Sequence, residues 1–331
     1  MPSPPSSWVP AGLVVAMTVV TVVVVLVWHR NSGAESEQFL SDFSSAAGQL
    51  GSPDAALRLA GAYALAGLAD KTTSFEQRQQ CIDVLCAFLR LPAGPAHITE
   101  VRRTVLDIIV SHLRPQAPVT WSAHDFDFAR AELTDADFSG VVFAGETTTF
   151  DDAVFGGAYC SFVKVHFAGQ SVSFGRARFK ARTTTFGASV FDAEHVSFAR
   201  AALYGQTTMF AGTHFASGQV SFARCSFAAQ SFCSFTGSVF GGAAVSFADA
   251  AFGSRETAFD RADFGHGRVT FARAEFTGDR VSFSWPRRWG AVEVDWVHDP
   301  MLMPAQVRPR QWPPLLASQA ASRHSVTSAR S

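Results

Sequence analysis

The feature that most constrains this chain is a fixed-step series of bulky apolar residues from Phe128 to Phe283. Phe128, Leu133, Phe138 and Phe143 follow one another at intervals of five. From Phe143 the interval alternates between seven and five, through Phe150, Phe155, Phe162, Phe167, Phe174, Phe179, Phe186, Phe191, Phe198, Leu203, Phe210, Phe215, Phe222 and Phe227. One step of eight leads to Phe235, and the series resumes through Phe240, Phe247, Phe252, Phe259, Phe264, Phe271, Phe276 and Phe283. A period held over such a length marks a solenoid, in which each repeat buries its apolar side against its neighbours.

A second regularity lies inside the first. Two residues before almost every landmark stands a small or β-branched residue: Ala153, Ala177, Ala201, Ala250, Ala262 and Ala274 after steps of five, and Thr148, Val172, Thr184, Val196, Thr208, Val220, Val245, Thr257, Val269 and Val281 after steps of seven. Residues i and i−2 lie on one side of an extended chain, so each unit points one large and one smaller group inward. The intervening Gly, Ser, Thr, Arg, Asp and Gln suit a solvated outer face and tight corners.

On these residues the chain resembles the pentapeptide-repeat family, whose unit places a small residue two before a central Leu or Phe. Ala131-Glu132-Leu133, Ala136-Asp137-Phe138 and Ala262-Asp263-Phe264 carry that motif as it stands. The resemblance covers roughly half of the chain and implies a mainly β fold, a right-handed quadrilateral β-helix with four units per coil. The departure is the extra two residues in every second link, which in a four-sided coil fall on two opposite corners. The Phe-rich 5/7 spacing is similar to that of membrane-anchored actinobacterial members.

A two-sided coil with one 12-residue repeat per turn is disfavoured, because two Phe rings per turn would overfill a thin core and the opening run of fives does not fit it. The landmarks fill just under seven four-sided coils, about 30 Å of solenoid. The step of eight predicts a one-residue bulge within 228–234. Taking Phe235 as the landmark turns Cys233 inward, whereas taking Phe232 would bury the Gln230 amide, so Phe232 is predicted to lie outside the core row.

The 31 Phe are therefore mainly structural, and a net charge of −1 gives no general attraction to nucleic acid or anionic membrane. Of the five Cys, Cys160, Cys225 and Cys233 stand two before a landmark and read as small core residues. Cys81 and Cys86 lie in a helical stretch, and an odd count without a pairing pattern points to a reducing compartment.

The rest of the chain divides by composition. Residues 1–10 form a short tail, and residues 11–28 carry no charge and are just long enough for one transmembrane helix. The lack of Lys or Arg before them argues against a cleaved signal peptide. Arg30 follows the span, and the positive-inside rule then makes the protein single-pass with its bulk in the cytoplasm. Residues 36–114 read as three or four helices that cap the first coil. Ser52 is the expected N-cap before Pro53, with Leu57, Ala60, Ala64, Leu65 and Leu68 on one face. Ile82, Leu85, Phe88 and Leu89, then Val101, Val105, Ile108 and Ile109, define two further apolar faces. The solenoid spans 124–283. Residues 284–303, with Trp285, Trp289 and Trp296, are read as a C-terminal cap, and 304–331 as a disordered tail rich in Pro, Ser and Arg.

No catalytic, cofactor-binding or metal-binding residues are assigned. His166 and His214 precede landmarks and should face solvent, as should Glu194 and His195 in a corner link. The spacing of Cys81 and Cys86 is not that of a metal knuckle. Charge is nevertheless patterned. Asp125, Asp127, Glu132, Asp135, Asp137, Glu146, Asp151 and Asp152 cluster at the start, followed by Lys164, Arg176, Arg178, Lys180 and Arg182. The expected function is a non-enzymatic, membrane-anchored scaffold or protein-interaction module, without cofactors, for a protein partner the sequence does not name. The alternative, implied by soluble relatives of the family, is a DNA mimic that binds a topoisomerase such as gyrase. Against it, sixteen acidic residues are offset by thirteen basic ones between His124 and Phe283, and no direct nucleic-acid binding is expected.

Overall fold

A computed structural model describes residues 36–92, 96–216 and 218–319. They form two compact units that divide after Lys71. The first contains helix α1 (residues 36–50) and helix α2 (Ala55–Lys71). Asp54, rather than Ser52, caps α2, its Oδ1 accepting from the backbone N–H of Ala56 at 2.7 Å. The buried face of α2 is Gly61, Ala62, Leu65, Ala66 and Ala69, while Leu57 and Ala60 are exposed. The packing reason is Gly61. A Cβ there would lie 2.3 Å from the Leu50 backbone nitrogen, so α1 and α2 touch backbone to backbone and small residues form the seam.

The second unit opens with α3 (Phe75–Arg90) and α4 (Ala96–Leu113), followed by the solenoid. Ser74 caps α3 through its hydroxyl, and Ile82, Leu85, Phe88 and Leu89 form the buried face. Val101, Val105, Ile108 and Ile109 of α4 are buried as well. Both helices hold the first coil. Gln79 exchanges two 2.9 Å hydrogen bonds with the backbone of Asp125, and Arg90 pairs with Asp127. Arg102, 7 % exposed, donates to the carbonyls of Leu89 at 2.6 Å, Leu91 at 2.8 Å and Glu132 at 2.9 Å, joining α3 to the first coil's strand.

Every coil has four sides, and the two-sided alternative is excluded. Strands on the first face begin with Phe126–Asp127 and Thr147–Thr149, on the second with Glu132–Thr134 and Val154–Gly156, on the third with Tyr159–Ser161, and on the fourth with Val142–Phe143 and His166–Phe167. All pairings along each face are parallel, and two faces merge where the long strand Asp263–Thr270 turns a corner. The seven-residue links fall on the two opposite corners between second and third and between fourth and first faces, as the spacing implies. All landmarks are buried, and so are the smaller residues two before them except Ala274, which is half-buried near the end of the Phe series. Fully burying a Phe contributes about 1.5–3 kcal/mol before entropy is counted. The rings stack in columns, for example Phe174 on Phe198 at 4.7 Å, and meet the neighbouring column edge-on, as Phe174 does Phe186 at 5.6 Å.

The five-residue links share one backbone device. The residue two after the landmark has positive φ, as in Arg130 (63°), Asp152 (58°), Lys164 (55°), Arg176 (57°), Arg200 (60°) and Arg224 (57°). The N–H one further on bonds back to the landmark carbonyl, as in Ala177 to Phe174 at 3.1 Å. This is the pattern of a type II turn. It aims the charged side chain out of the corner, where a long polar group costs nothing in packing.

The eight-residue step is absorbed in the corner before Phe232–Ser234. Phe235 stacks between Phe210 at 4.7 Å and Phe259 at 4.8 Å, Cys233 is buried, and Phe232 lies outside the core row, in register with Thr207 and Glu256. The solenoid is longer than the landmark series: its first face carries eight strands, about eight turns, because Arg288–Glu293 adds beside Asp263–Thr270 after the Phe pattern stops. The segment from Pro304, expected to be disordered, contributes the strand Val307–Arg308 beside Arg280–Ser282, with Val307 fully buried. Trp312 packs on Phe283 at 5.6 Å, Trp289 at 5.1 Å and Trp296 at 5.2 Å. The cap is thus Trp289, Trp296 and Trp312, and Trp285 stays 52 % exposed. The expected span 11–28 and residues 320–331 lie outside the described residues. Among those described, no helix is long and apolar enough to cross a membrane.

Candidate functional surface

The core has no room for a ligand, because Phe columns and small residues fill it from the first coil to the Trp cap. Any function of the solenoid therefore belongs to its outer faces. A cleft of about 170 Å³ lies between α4 and the first coil, bordered by Leu89, Arg102, Arg103, Leu106, Glu132 and Asp135. Its buried cation, Arg102, is already committed to backbone carbonyls. Among the described residues no group of His, Cys, Asp and Glu is placed to hold a metal ion.

The residues weighed for chemistry are dispersed. His166 and His214 occupy outward positions on the fourth face, and His195 stands on the first. His166 lies 3.7 Å from Asp192 and His195 3.8 Å from Glu194, all with partly or well exposed side chains. The five Cys are free and buried. Burial pushes the Cys81 thiol up to about 11 and raises those of Cys86, Cys160, Cys225 and Cys233 further, so none is a nucleophile at neutral pH.

The acidic run does not make a one-signed surface. Asp127 pairs with Arg90, while Asp135 accepts from the backbone N–H groups of Ala158 at 2.6 Å and Tyr159 at 3.1 Å in the next coil. Asp151 accepts from Gly175 N–H at 2.8 Å and from the Ser173 hydroxyl. Asp152 takes a bidentate pair from Arg176 at 2.9 and 2.7 Å, which holds its carboxyl below the usual carboxylate range. Asp249 is held down in the same way by Arg273. Apart from Asp127, which is tied to α3, these carboxylates join successive coils.

The basic run is divided by the winding of the chain. Lys164 sits at the corner between third and fourth faces. Arg176, Arg178, Lys180 and Arg182 cross the second face from one corner to the other. Arg200 and Arg224, distant in sequence, join them, because each occupies the same corner as Arg176 one and two coils on. Exposed Tyr204 and Tyr159 flank this group. Arg200, Arg224 and the two Tyr were missed in the linear sequence, and stacking the sequence coil by coil is the signal that finds them.

Residues 128–178 match the family model for pentapeptide repeats, described as Pentapeptide repeats (9 copies). The solenoid continues the same inward pattern well past that stretch, so the matched pentapeptide repeats are part of a longer solenoid of the same build. Neither the curated proteins nor the solved structures contain a significant match to it.

Proposed function

We propose that the protein is a non-enzymatic, membrane-anchored scaffold that presents the side faces of a rigid four-sided solenoid, of the right-handed hand that the family resemblance implies, to a protein partner. The observation that carries this reading is the filled core. Inward positions are occupied coil after coil by Phe and small residues, leaving the outer faces as the available surface. Both ends of the solenoid are covered, by α3 and α4 at the first coil and by Trp289, Trp296 and Trp312 at the last. Covered ends discourage end-to-end strand pairing and leave the sides for recognition. The uncharged stretch 11–28 supports the anchor, and Arg30 supports a cytoplasmic body.

Crosslinking in native membranes followed by purification of the full chain tests the scaffold. A reproducible, stoichiometric protein partner supports it, and recovery of the chain alone contradicts it. For the topology, Ser325→Cys should remain unlabelled by an impermeant thiol reagent until cells are permeabilised. Strong labelling of intact cells would place the body outside. The DNA-mimic reading finds no favouring observation, since the acidic side chains it needs are engaged in turns and ion pairs between coils.

A further inference from the structure

The charge on the central coils is divided across the solenoid. Between Phe174 and Phe247 the chain carries six cations, Arg176, Arg178, Lys180, Arg182, Arg200 and Arg224, and only two carboxylates, Asp192 and Glu194. All six cations lie on the second face or its two corners, whereas both carboxylates lie at the corner between fourth and first faces, next to His166 and His195. Arg178 is flanked along its face by Val154 on one side and Ala202 on the other, with Ser226 one coil further, so no bulky neighbour covers it. The side chains of Arg178, Lys180 and Arg200 donate no hydrogen bond and close no ion pair among the described residues. Arg176 is tied to Asp152, and Arg182 reaches Gln206 at 2.8 Å.

We infer that this part of the second face is a docking site for a short, extended acidic segment of a partner protein, an inference that rests on the scaffold reading above. Two features favour a peptide over a longer polyanion. The first is extent. The basic area covers about three coils, on the order of 10–15 Å along the axis. Glu132 and Asp135 bound it on the first coil, Asp249, Glu275 and Asp279 on the last ones. A duplex lying along the axis would bring its phosphates against those carboxylates. A segment crossing the face avoids them. The second is spacing. Arg178 and Lys180 stand two apart along the extended strand of this face, so their side chains recur about 6.6 Å apart, with Arg176 and Arg182 at the corners on either side. That is also the spacing of same-side carboxylates in an extended Glu-X-Glu-X-Glu peptide. Tyr204 and Tyr159, 47 % and 42 % exposed, offer rigid flanking contacts with an apolar body and a hydroxyl tip.

The test uses the full-length chain in neutral detergent micelles and a fluorescein-labelled peptide of alternating Glu and Ser, read by fluorescence anisotropy. Saturable binding that weakens at high salt is expected. The triple variant Arg178→Glu, Lys180→Glu, Arg182→Glu should lose at least about tenfold in affinity while keeping its melting temperature, and Lys164→Glu, on another corner, should bind as the unmodified chain does. Absence of saturable binding, equal binding by the triple variant, or tighter binding of a duplex oligonucleotide than of the peptide would overturn the inference. If the triple variant still captures the same crosslinked partner as the unmodified chain, the scaffold reading stands and this assignment of the surface falls.

Discussion

Phe162 and Phe186, one coil apart, lie with ring centroids separated by 4.8 Å and planes 2° from parallel. Each ring also meets the neighbouring column edge-on, Phe174 standing 5.5 Å from Phe162 and 5.6 Å from Phe186. Deleting one ring leaves a void that backbone ladders on four sides prevent from closing. Phe186→Ala is expected to cost about 3–5 kcal/mol in denaturant unfolding. Arg224→Ala, at an exposed corner 3.9 Å from Asp249, should change stability by less than about 0.5 kcal/mol. Equal effects would show that the inward assignment is wrong.

Thr184, Thr208 and Thr257 are buried in the third face with hydroxyls that have no hydrogen-bond partner. Ser189, Thr213 and Ser238 differ, because their hydroxyls donate to the carbonyls of Phe162, Phe186 and Phe210. Val281 occupies the same column as the three Thr, in register with Thr257, so Val fits there. Thr208→Val is expected to stabilise by about 1 kcal/mol, and the triple Thr→Val variant by more, raising the melting temperature about 2–4 °C per kcal/mol. A fall in melting temperature would indicate partners for these hydroxyls.

Close backbone contact at the seven-residue corners depends on particular glycines. A Cβ on Gly205 would sit 2.0 Å from the Ala181 carbonyl oxygen and 3.0 Å from that of Arg182, which accepts from Gln206 and Thr207 in the coil-to-coil ladder. Gly212, in a five-residue corner, has positive φ, 67°, but open space around it, and Ala188 already adopts 55° at the equivalent corner one coil earlier. Gly205→Ala should therefore destabilise by about 2 kcal/mol or more and Gly212→Ala by about 1 kcal/mol or less. The reverse order in thermal melts would contradict the corner assignment.

The joint between α3 and the first coil should be pH-sensitive. His124 is 2 % exposed, stacks on Phe75 at 4.1 Å and faces the Gln79 Oε1 at 3.2 Å. Burial, then the Arg78 charge, lowers its pKa below the ordinary 6.5, with Asp125 and Asp83 opposing. The unfolded chain then binds the proton more readily, so stability is complete above about 6.5 and declines as pH falls from there toward the folded-state value. The melting temperature should fall between pH 7 and pH 5, and His124→Gln, though less stable at pH 7, should show a flatter profile over that interval. Parallel profiles would assign the pH dependence to other groups.

Much of this architecture was legible because a crowded core dictates residue size. Phe at the landmark and Ala, Val, Thr or Cys two before it are what the interior accepts, and the choice of Phe235 over Phe232 followed from the cost of burying Gln230. The end of the solenoid was legible only in part, through Trp289 and Trp296. Trp289, Trp296 and Trp312 replace Phe at irregular spacings, and Val307 is too isolated to signal a strand. In α2 the seam is made of Gly61, Ala62 and Ala69, which a search for large apolar residues passes over. The charged surface was hidden for a geometric reason. Lys164 and Arg176 are near in sequence and lie on different corners, whereas Arg176, Arg200 and Arg224 are far apart and share one.

The central claim is that an outer face of the solenoid engages another protein. A photocrosslinking amino acid placed singly in the full chain in cells tests it most directly, at Gln219 on the first face, Ser226 on the second, Tyr159 on the third and His214 on the fourth. The account predicts a discrete heavier adduct with one protein, strongest from Ser226 beside the basic cluster. Absence of any light-dependent adduct from all four positions would contradict it.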